Sequence, residues 1–329
     1  MADRRAALVS RFGDSTSLVL AEQSLRPPRG NEVVVRVTHA SVGATDVLAR
    51  RGGYVFQPLP GFVPGYDFVG VLEAESAVSL ALGLRTGARV AGVLPRMGSH
   101  ATRLVLSPTF LVAVPDGLDS AAAATAPLDA VTAGLALRMT GGGRRVLVQG
   151  ASGAVGSIAV QLATQDDRTV VGTASSRTRG FADELGIPVV DYRAADWMGQ
   201  ARRAAGGPFD AAIDHTGAPQ VRQTLAPDGV LVHTAFAGRA GHERADSLRG
   251  SAEAAARRRG HPRERVCSVP YFVLRKRPQY RALLSGLLAA IDGGRLRVAA
   301  PEVYAFDDLW EADRAAERVE PGRKVVLAV

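Results

Sequence analysis

Arg145-Val146-Leu147-Val148-Gln149-Gly150-Ala151-Ser152-Gly153-Ala154-Val155-Gly156-Ser157-Ile158-Ala159-Val160-Gln161-Leu162-Ala163 is the stretch whose reading decides the fold. Val146 to Val148 is a short apolar run and predicts a buried strand. Gly150, Gly153 and Gly156 break it, and an amphipathic run from about Ala154 predicts a helix. Strand, glycine turn and helix in that order make a cradle for a pyrophosphate. The glycines let the backbone turn tightly and come close, and the helix N-terminus offers free N–H groups and partial positive charge. The fingerprint is incomplete. Ala151 stands where the first glycine belongs, with Gly150 beside it, so an ordinary tight turn competes and the flanking sequence must decide.

On the C-terminal side the chain alternates. Strands are predicted at Thr169–Thr173, Pro188–Asp191, Phe209–Asp214 and Gly229–His233, with helices at Arg179–Leu185, Ala195–Ala205 and Pro219–Leu225 between them. That rhythm marks a parallel sheet covered on both faces. On the N-terminal side the texture is β and glycine-rich, with strands at Ala6–Val9 and Glu32–Thr38. Alanine-rich helical spacing begins near Ser120, with Asp119 or Ser120 as N-cap. Residues 238–268 interrupt the alternation with a polar, arginine-crowded run that includes Arg239, Arg244, Arg249, Arg257 and Arg265. It reads as a solvated loop or helix, or else as a mobile lid or a docking face for an acidic partner. Beyond it come a helix over Gln279–Ile291, a helix over Phe306–Val319 and a closing strand at Lys324–Ala328.

A chain of 329 residues exceeds one typical domain. The net charge is +8, yet Lys276 and Lys324 are the only lysines, so the charge is almost all arginine. With 5% aromatic residues and mostly scattered arginines, nucleic-acid binding is not expected. The single cysteine, Cys267, excludes an internal disulfide and a multi-cysteine zinc site. Met1 to Ser10 is charged and unlike a signal peptide, and no apolar run is long enough to span a bilayer. A cytoplasmic location is the expectation.

Taken together, the β-rich first part, Pro64-Gly65-Tyr66-Asp67, the cradle with Gln161-Leu162-Ala163, and the ending Pro321-Gly322-Arg323-Lys324-Val325-Val326-Leu327 carry a likeness over nearly the whole chain. The chain resembles the medium-chain dehydrogenase/reductase superfamily, in its zinc-free quinone oxidoreductase (zeta-crystallin-like) branch. The resemblance implies an α/β chain in which a doubly wound Rossmann sheet is inserted in a GroES-like, β-rich catalytic domain. The expected division is 1–120, 121–268 for the dinucleotide-binding domain, and 269–329 returning to the catalytic domain. It also implies a homodimer. Zinc-dependent members carry Gly-His-Glu where this chain has Gly65-Tyr66-Asp67, and Cys where it has Asp46. His39, Asp46 and Asp67 lack the zinc-type spacing, so no metal is expected.

The cofactor expected is NADPH. NAD-binding versions place a carboxylate about 20 residues past the glycines. Here Ser175, Ser176 and Arg177 follow the second strand, and hydroxyls with a guanidinium suit a 2′-phosphate. The alternative for Arg177 is a solvated helix start. By resemblance, Tyr192 packs near that phosphate and Thr132 sits by the nicotinamide. His233 to Phe236, including Ala235, supplies the backbone that recognises the ring amide. Lys324 lies near the phosphates. Thr132 is equally a plain helix hydroxyl and Lys324 equally a surface charge.

A site of this kind suits hydride delivery to a quinone or to the β-carbon of an α,β-unsaturated carbonyl, with donors stabilising charge on the conjugated oxygen. Asp46, Tyr54 and Tyr66 are the candidates near the substrate, with Tyr54 either a proton donor or an aromatic wall. Relatives usually carry Asn where this chain has Gly43, which enlarges the cleft or removes a hydrogen bond. The branch also contains enoyl reductases of polyketide assembly, for which the arginines at 239–265 would dock an acyl carrier protein. A non-catalytic NADPH-binding protein is the third reading.

Overall fold

A computed structural model describes residues 3–236, 238–239, 241–260 and 262–329. The chain divides into two compact units. One is Thr132–Ser268, and the other joins the chain up to Val131 with Val269–Val329.

The Thr132–Ser268 unit is built on a six-stranded parallel sheet. Its spatial order is Val189–Asp191, Thr169–Ala174, Arg145–Val148, Phe209–Asp214, Leu225–His233 and Arg263–Val266. Numbered along the chain from Arg145–Val148, this is 3-2-1-4-5-6, the Rossmann order, which reverses direction beside the first strand. Parallel strands need both faces covered, hence the apolar runs. Leu147, Val171, Phe209 and Leu231 are buried against Trp197 and Ala201 of the helix Trp197–Ala205.

The sixth strand corrects the reading of residues 238–268 as an interruption. The segment holds a helix, Glu243–Ala256, and then the strand Arg263–Val266, paired with Val230–His233. Arg-Glu-Arg-Val carries no apolar signature because it is an edge strand. Arg263 points to solvent and the inward Glu264 is neutralised by partners distant in sequence. The helix is not a loose flap. Ala254 is buried, and Gly250 leaves room for the Phe236 ring, which a Cβ would meet at 2.5 Å. The arginines are largely engaged within this unit. Arg239 and Arg249 pair with Asp246, Arg257 with Glu253 and Glu264, and Arg265 donates to the Met139 carbonyl.

The other unit is organised on a seven-stranded, mainly antiparallel sheet. Its path runs Ala300–Ala305, Arg323–Ala328, Val33–Val42, Asp67–Ala74, Arg89–Val93 and Leu111–Ala113, with Arg103–Leu106 also pairing Val33–Val42. The closing strand Arg323–Ala328 therefore lies inside the sheet, beside a strand from the chain's beginning. Val42, Val325 and Leu327 pack with Leu309 of the helix Leu309–Ala316. The helical stretch after Ser120 is two helices, Ser120–Ala124 and Pro127–Met139. Asp119 caps the first through the Ala122 N–H at 3.0 Å, and Pro127 forces the break, because the residue before a proline resists helical geometry.

Candidate active site

The glycine turn has the geometry of an anion cradle. Gly150 turns the chain at φ 70°, in the left-handed region that favours glycine, and a Cβ there would also meet the His215 ring at 2.5 Å. The second strand holds the turn: Gly150 N–H donates to Thr173 Oγ1 at 3.1 Å and Ala151 N–H to the Thr173 carbonyl at 2.8 Å. Ala151 and Ser152 are buried in it. Gly153 is the N-cap of the helix Ala154–Gln165 and supplies no side-chain cap. The opening N–H groups of Ala154, Val155 and Gly156 have no carbonyl one turn earlier to bond, so they are available to an anion. At Gly156 a Cβ would collide with the Gly150 carbonyl oxygen and lie 3.1 Å from Ala151 Cα. These residues fit a pyrophosphate.

Asp191 pairs in register with Ala174, so Ser175, Ser176 and Arg177 leave one strand beside Tyr192 leaving the next. Ser175 is buried and its hydroxyl meets that of Thr178 at 3.1 Å, while Ser176 and Arg177 are exposed. Tyr192 is 40% exposed, with the Arg193 guanidinium 5.6 Å from its ring centre. Asp191, the acid nearest this edge, accepts from the Arg193 N–H at 2.9 Å.

Thr132 lies in the helix Pro127–Met139, where its carbonyl faces the Cys267 thiol at 3.9 Å. Burial pushes that thiol up to about 12. The His233 side chain is enclosed: Nδ1 is 3.1 Å from Asp214 Oδ2 and Nε2 is 3.2 Å from Glu264 Oε2. Burial pushes Asp214 up, but its hydrogen bonds from His233 and Thr216 outweigh burial and hold it below the usual range. Glu264 is likewise held low, by Arg222 and Arg257 against burial. Phe236 stacks on His233 with ring centres 4.8 Å apart, and its carbonyl accepts from Ser247 Oγ at 3.3 Å. Ala235 lies between them in sequence. Asp214 and Glu264 escaped the sequence reading. A carboxylate at the inner end of a predicted strand was the available signal for Asp214.

In the other unit, Tyr54 and Tyr66 meet hydroxyl to hydroxyl at 2.8 Å. Burial pushes both phenols up, Tyr66 to about 12, so both keep their protons and act as donors. Asp46 is not a free acid. Its Oδ2 accepts from the Gly43 N–H and its Oδ1 from the Gly65 N–H, each at 2.9 Å. It ties the start of the helix Ala44–Arg50 to the turn at Gly65. Lys324 is not a surface charge. It is 6% exposed, with Nζ 2.7 Å from Asp129 Oδ2. Burial would lower its pKa, but Asp129 and Asp67 outweigh burial and raise it. A Cβ at Gly43 would stand 3.1 Å from that ammonium. Asp67 is buried, accepting from Ser41 Oγ at 2.6 Å and the Leu128 N–H at 3.0 Å, and burial pushes it up to about 6.

These positions do not suit a catalytic zinc, which needs about three side-chain ligands converging. Asp46 and Asp67 have both oxygens engaged, and the Tyr66 hydroxyl is paired with Tyr54. Among the described residues no three His, Cys, Asp or Glu side chains are placed to hold a metal.

A parallel sheet in 3-2-1-4-5-6 order opening on a glycine cradle, with a β-rich unit carrying buried ionisable groups, defines the dehydrogenase/reductase class. Residues 29–116 match the alcohol dehydrogenase GroES-like domain and residues 185–327 the zinc-binding dehydrogenase family. The synaptic vesicle membrane protein VAT-1 homolog of Danio rerio is 30% identical over 237 residues, 69% of this chain and 48% of that protein. The quinone oxidoreductase of Sus scrofa is 31% identical over 177 residues, 52% of this chain and 53% of that protein. These matches span about half the length of those relatives. The JamJ enoyl reductase superposes with a TM-score of 0.83 at 21% identity, covering 99% of both chains, which is a likeness of fold. The chain belongs to the medium-chain dehydrogenase/reductase superfamily, in its quinone oxidoreductase-like branch.

Proposed function

We propose that this chain is an NADPH-dependent oxidoreductase that works without zinc and transfers hydride to a quinone or an α,β-unsaturated carbonyl compound. The observation that carries this reading is the glycine cradle, where Gly150 and Gly156 stand at points with no room for a Cβ and Gly153 opens the helix without a side-chain cap. Bound there, a reduced nicotinamide nucleotide supplies the hydride. The chain's own groups do the rest. The N–H groups of Ala154 to Gly156 hold the pyrophosphate. Ser175, Ser176 and Arg177 offer two hydroxyls and a guanidinium to a 2′-phosphate, and no carboxylate stands among them to prefer the unphosphorylated ribose. The Tyr54–Tyr66 pair holds protons that stay in place through the neutral range. One hydroxyl donates to the other, and the proton that this bond does not use is left for a substrate oxygen on which charge develops.

The test joins NADPH calorimetry to an assay of NADPH oxidation with a panel of quinones, enones and a carrier-bound enoyl thioester. Binding with turnover of quinones or free enones supports the proposal. Turnover confined to the carrier-bound substrate moves the chain to the enoyl reductase reading, and binding without turnover to a non-catalytic NADPH-binding protein. Absence of NADPH binding removes the whole reading.

A further inference from the structure

We propose that Glu264 is a positioning residue for the nicotinamide half of the cofactor, acting through His233 on the two loops that follow the fourth and fifth strands. The inference rests on the cofactor reading above. In an open parallel sheet a dinucleotide lies across the carboxyl ends of the strands, where the strand order reverses. With the phosphate-binding residues at the ends of the second and third strands, the other nucleotide falls at the ends of the fourth and fifth. Those strands are Phe209–Asp214 and Leu225–His233, and they finish in Asp214 and His233 themselves.

Glu264 stands at the centre of a hydrogen-bonded chain of polar groups that reaches both loops. Its side chain is 0% exposed. Oε1 accepts from Arg222 Nε at 2.5 Å and Arg257 Nε at 2.9 Å, and Oε2 faces His233 Nε2 at 3.2 Å. His233 passes the constraint to Asp214 through Nδ1 at 3.1 Å. Asp214 fixes the first loop, because Oδ2 accepts from the Gly217 N–H at 2.7 Å and Oδ1 from the Thr216 N–H and hydroxyl at 2.9 and 2.7 Å. His215 in that loop lies against Gly150, which connects it to the cradle. The second loop is fixed from the other side of the ring. Phe236 stacks on His233 and is bounded by Gly217 and Gly250, where added Cβ atoms would meet its ring at 2.8 and 2.5 Å. The Thr234 N–H donates to the Asp214 carbonyl at 2.7 Å, closing the circuit.

A sheet could be held at this point with apolar side chains at less desolvation cost, since a buried ion pair is weak support for stability. What charges give is directional: each hydrogen bond fixes one atom, and loop backbone that binds a ring amide must be held to fractions of an ångström.

The experiment compares two ligands by calorimetry on the full chain: NADP+, and 2′-phospho-ADP-ribose, the same molecule without its nicotinamide ring. The wild type is expected to bind NADP+ more tightly than 2′-phospho-ADP-ribose. Glu264→Gln keeps the shape and removes the charge, and it should weaken NADP+ at least tenfold while 2′-phospho-ADP-ribose stays within twofold. Gly250→Ala leaves every charge in place and pushes on Phe236 from a helix that alanine favours. It should show the same selective loss, which keeps the test alive if Glu264→Gln does not fold. Equal loss of both ligands, or no loss in a folded variant, overturns the proposal. A wild type that binds neither ligand overturns the cradle reading itself.

Discussion

Lys324 Nζ and Asp129 Oδ2 lie 2.7 Å apart although the two residues are 195 positions apart in the chain. The pair joins the closing strand of the β-rich unit to the first turn of the helix Pro127–Met139. Removing one member of a buried pair leaves an uncompensated charge and costs about 3–5 kcal/mol, whereas removing both costs far less. Asp129→Ala should therefore lower stability by several kcal/mol in urea unfolding. Adding Lys324→Met should restore a large part of it. An Asp129→Ala protein as stable as the wild type would show that the pair holds nothing.

The parallel sheet was legible because its inner strands are short apolar runs such as Val146–Val148, set between helices of ordinary period. The cradle was legible because Gly150 and Gly156 answer steric demands that only glycine meets. The sixth strand was not. Its Arg263-Glu264-Arg265 has the composition of a solvated loop, and what makes Glu264 tolerable inside is His233, 31 residues away, and Arg222, 42 away. Charged groups mislead a linear reading in the same way elsewhere. Nothing in the linear sequence says that both Asp46 oxygens accept from backbone N–H groups, or that Asp129 stands against Lys324. Tyr54 and Tyr66 were both visible as candidates, but their direct hydroxyl contact depends on how the loop between them folds.

Gly156→Ala tests the cradle at its tightest point. The added methyl group would collide with the Gly150 carbonyl oxygen, and that neighbour is backbone held by its own hydrogen bonds. Either the turn opens or the helix start shifts. In both cases the N–H groups lose their common aim, and NADPH affinity should fall at least tenfold by calorimetry, about 1.4 kcal/mol or more. The melting temperature should change by only a few degrees, since the site is one turn of one helix.

Arg177→Glu tests the choice of nucleotide. Arg177 is exposed at the edge where Ser175 and Tyr192 emerge side by side. A carboxylate there would repel a 2′-phosphate and accept hydrogen bonds from a free ribose. The ratio of the dissociation constants for NADH and NADPH should shift toward NADH by at least tenfold, mostly through weaker NADPH binding. An unchanged ratio would place the phosphate elsewhere.

Asp67 gives the protein a stability signature in mild acid. Its carboxyl is buried and burial raises it from 3.8 to about 6, against the partial relief that Lys324 and the Ser41 hydroxyl supply. A raised acid favours the protonated form in the folded chain. Its contribution is therefore fully present below about pH 4 and is lost as pH rises through about 6. The shift is about 2 units, which corresponds to roughly 3 kcal/mol over that window. Asp67→Asn keeps the side-chain shape and removes the titration. The free energy of unfolding of the wild type minus that of the variant should fall as pH rises from 4 to 6, then level off above about 7. Urea unfolding at half-unit pH steps measures it directly. A difference that rises with pH over the same window would mean that Asp67 is held ionised by Lys324, and that the ammonium, not burial, governs this carboxyl.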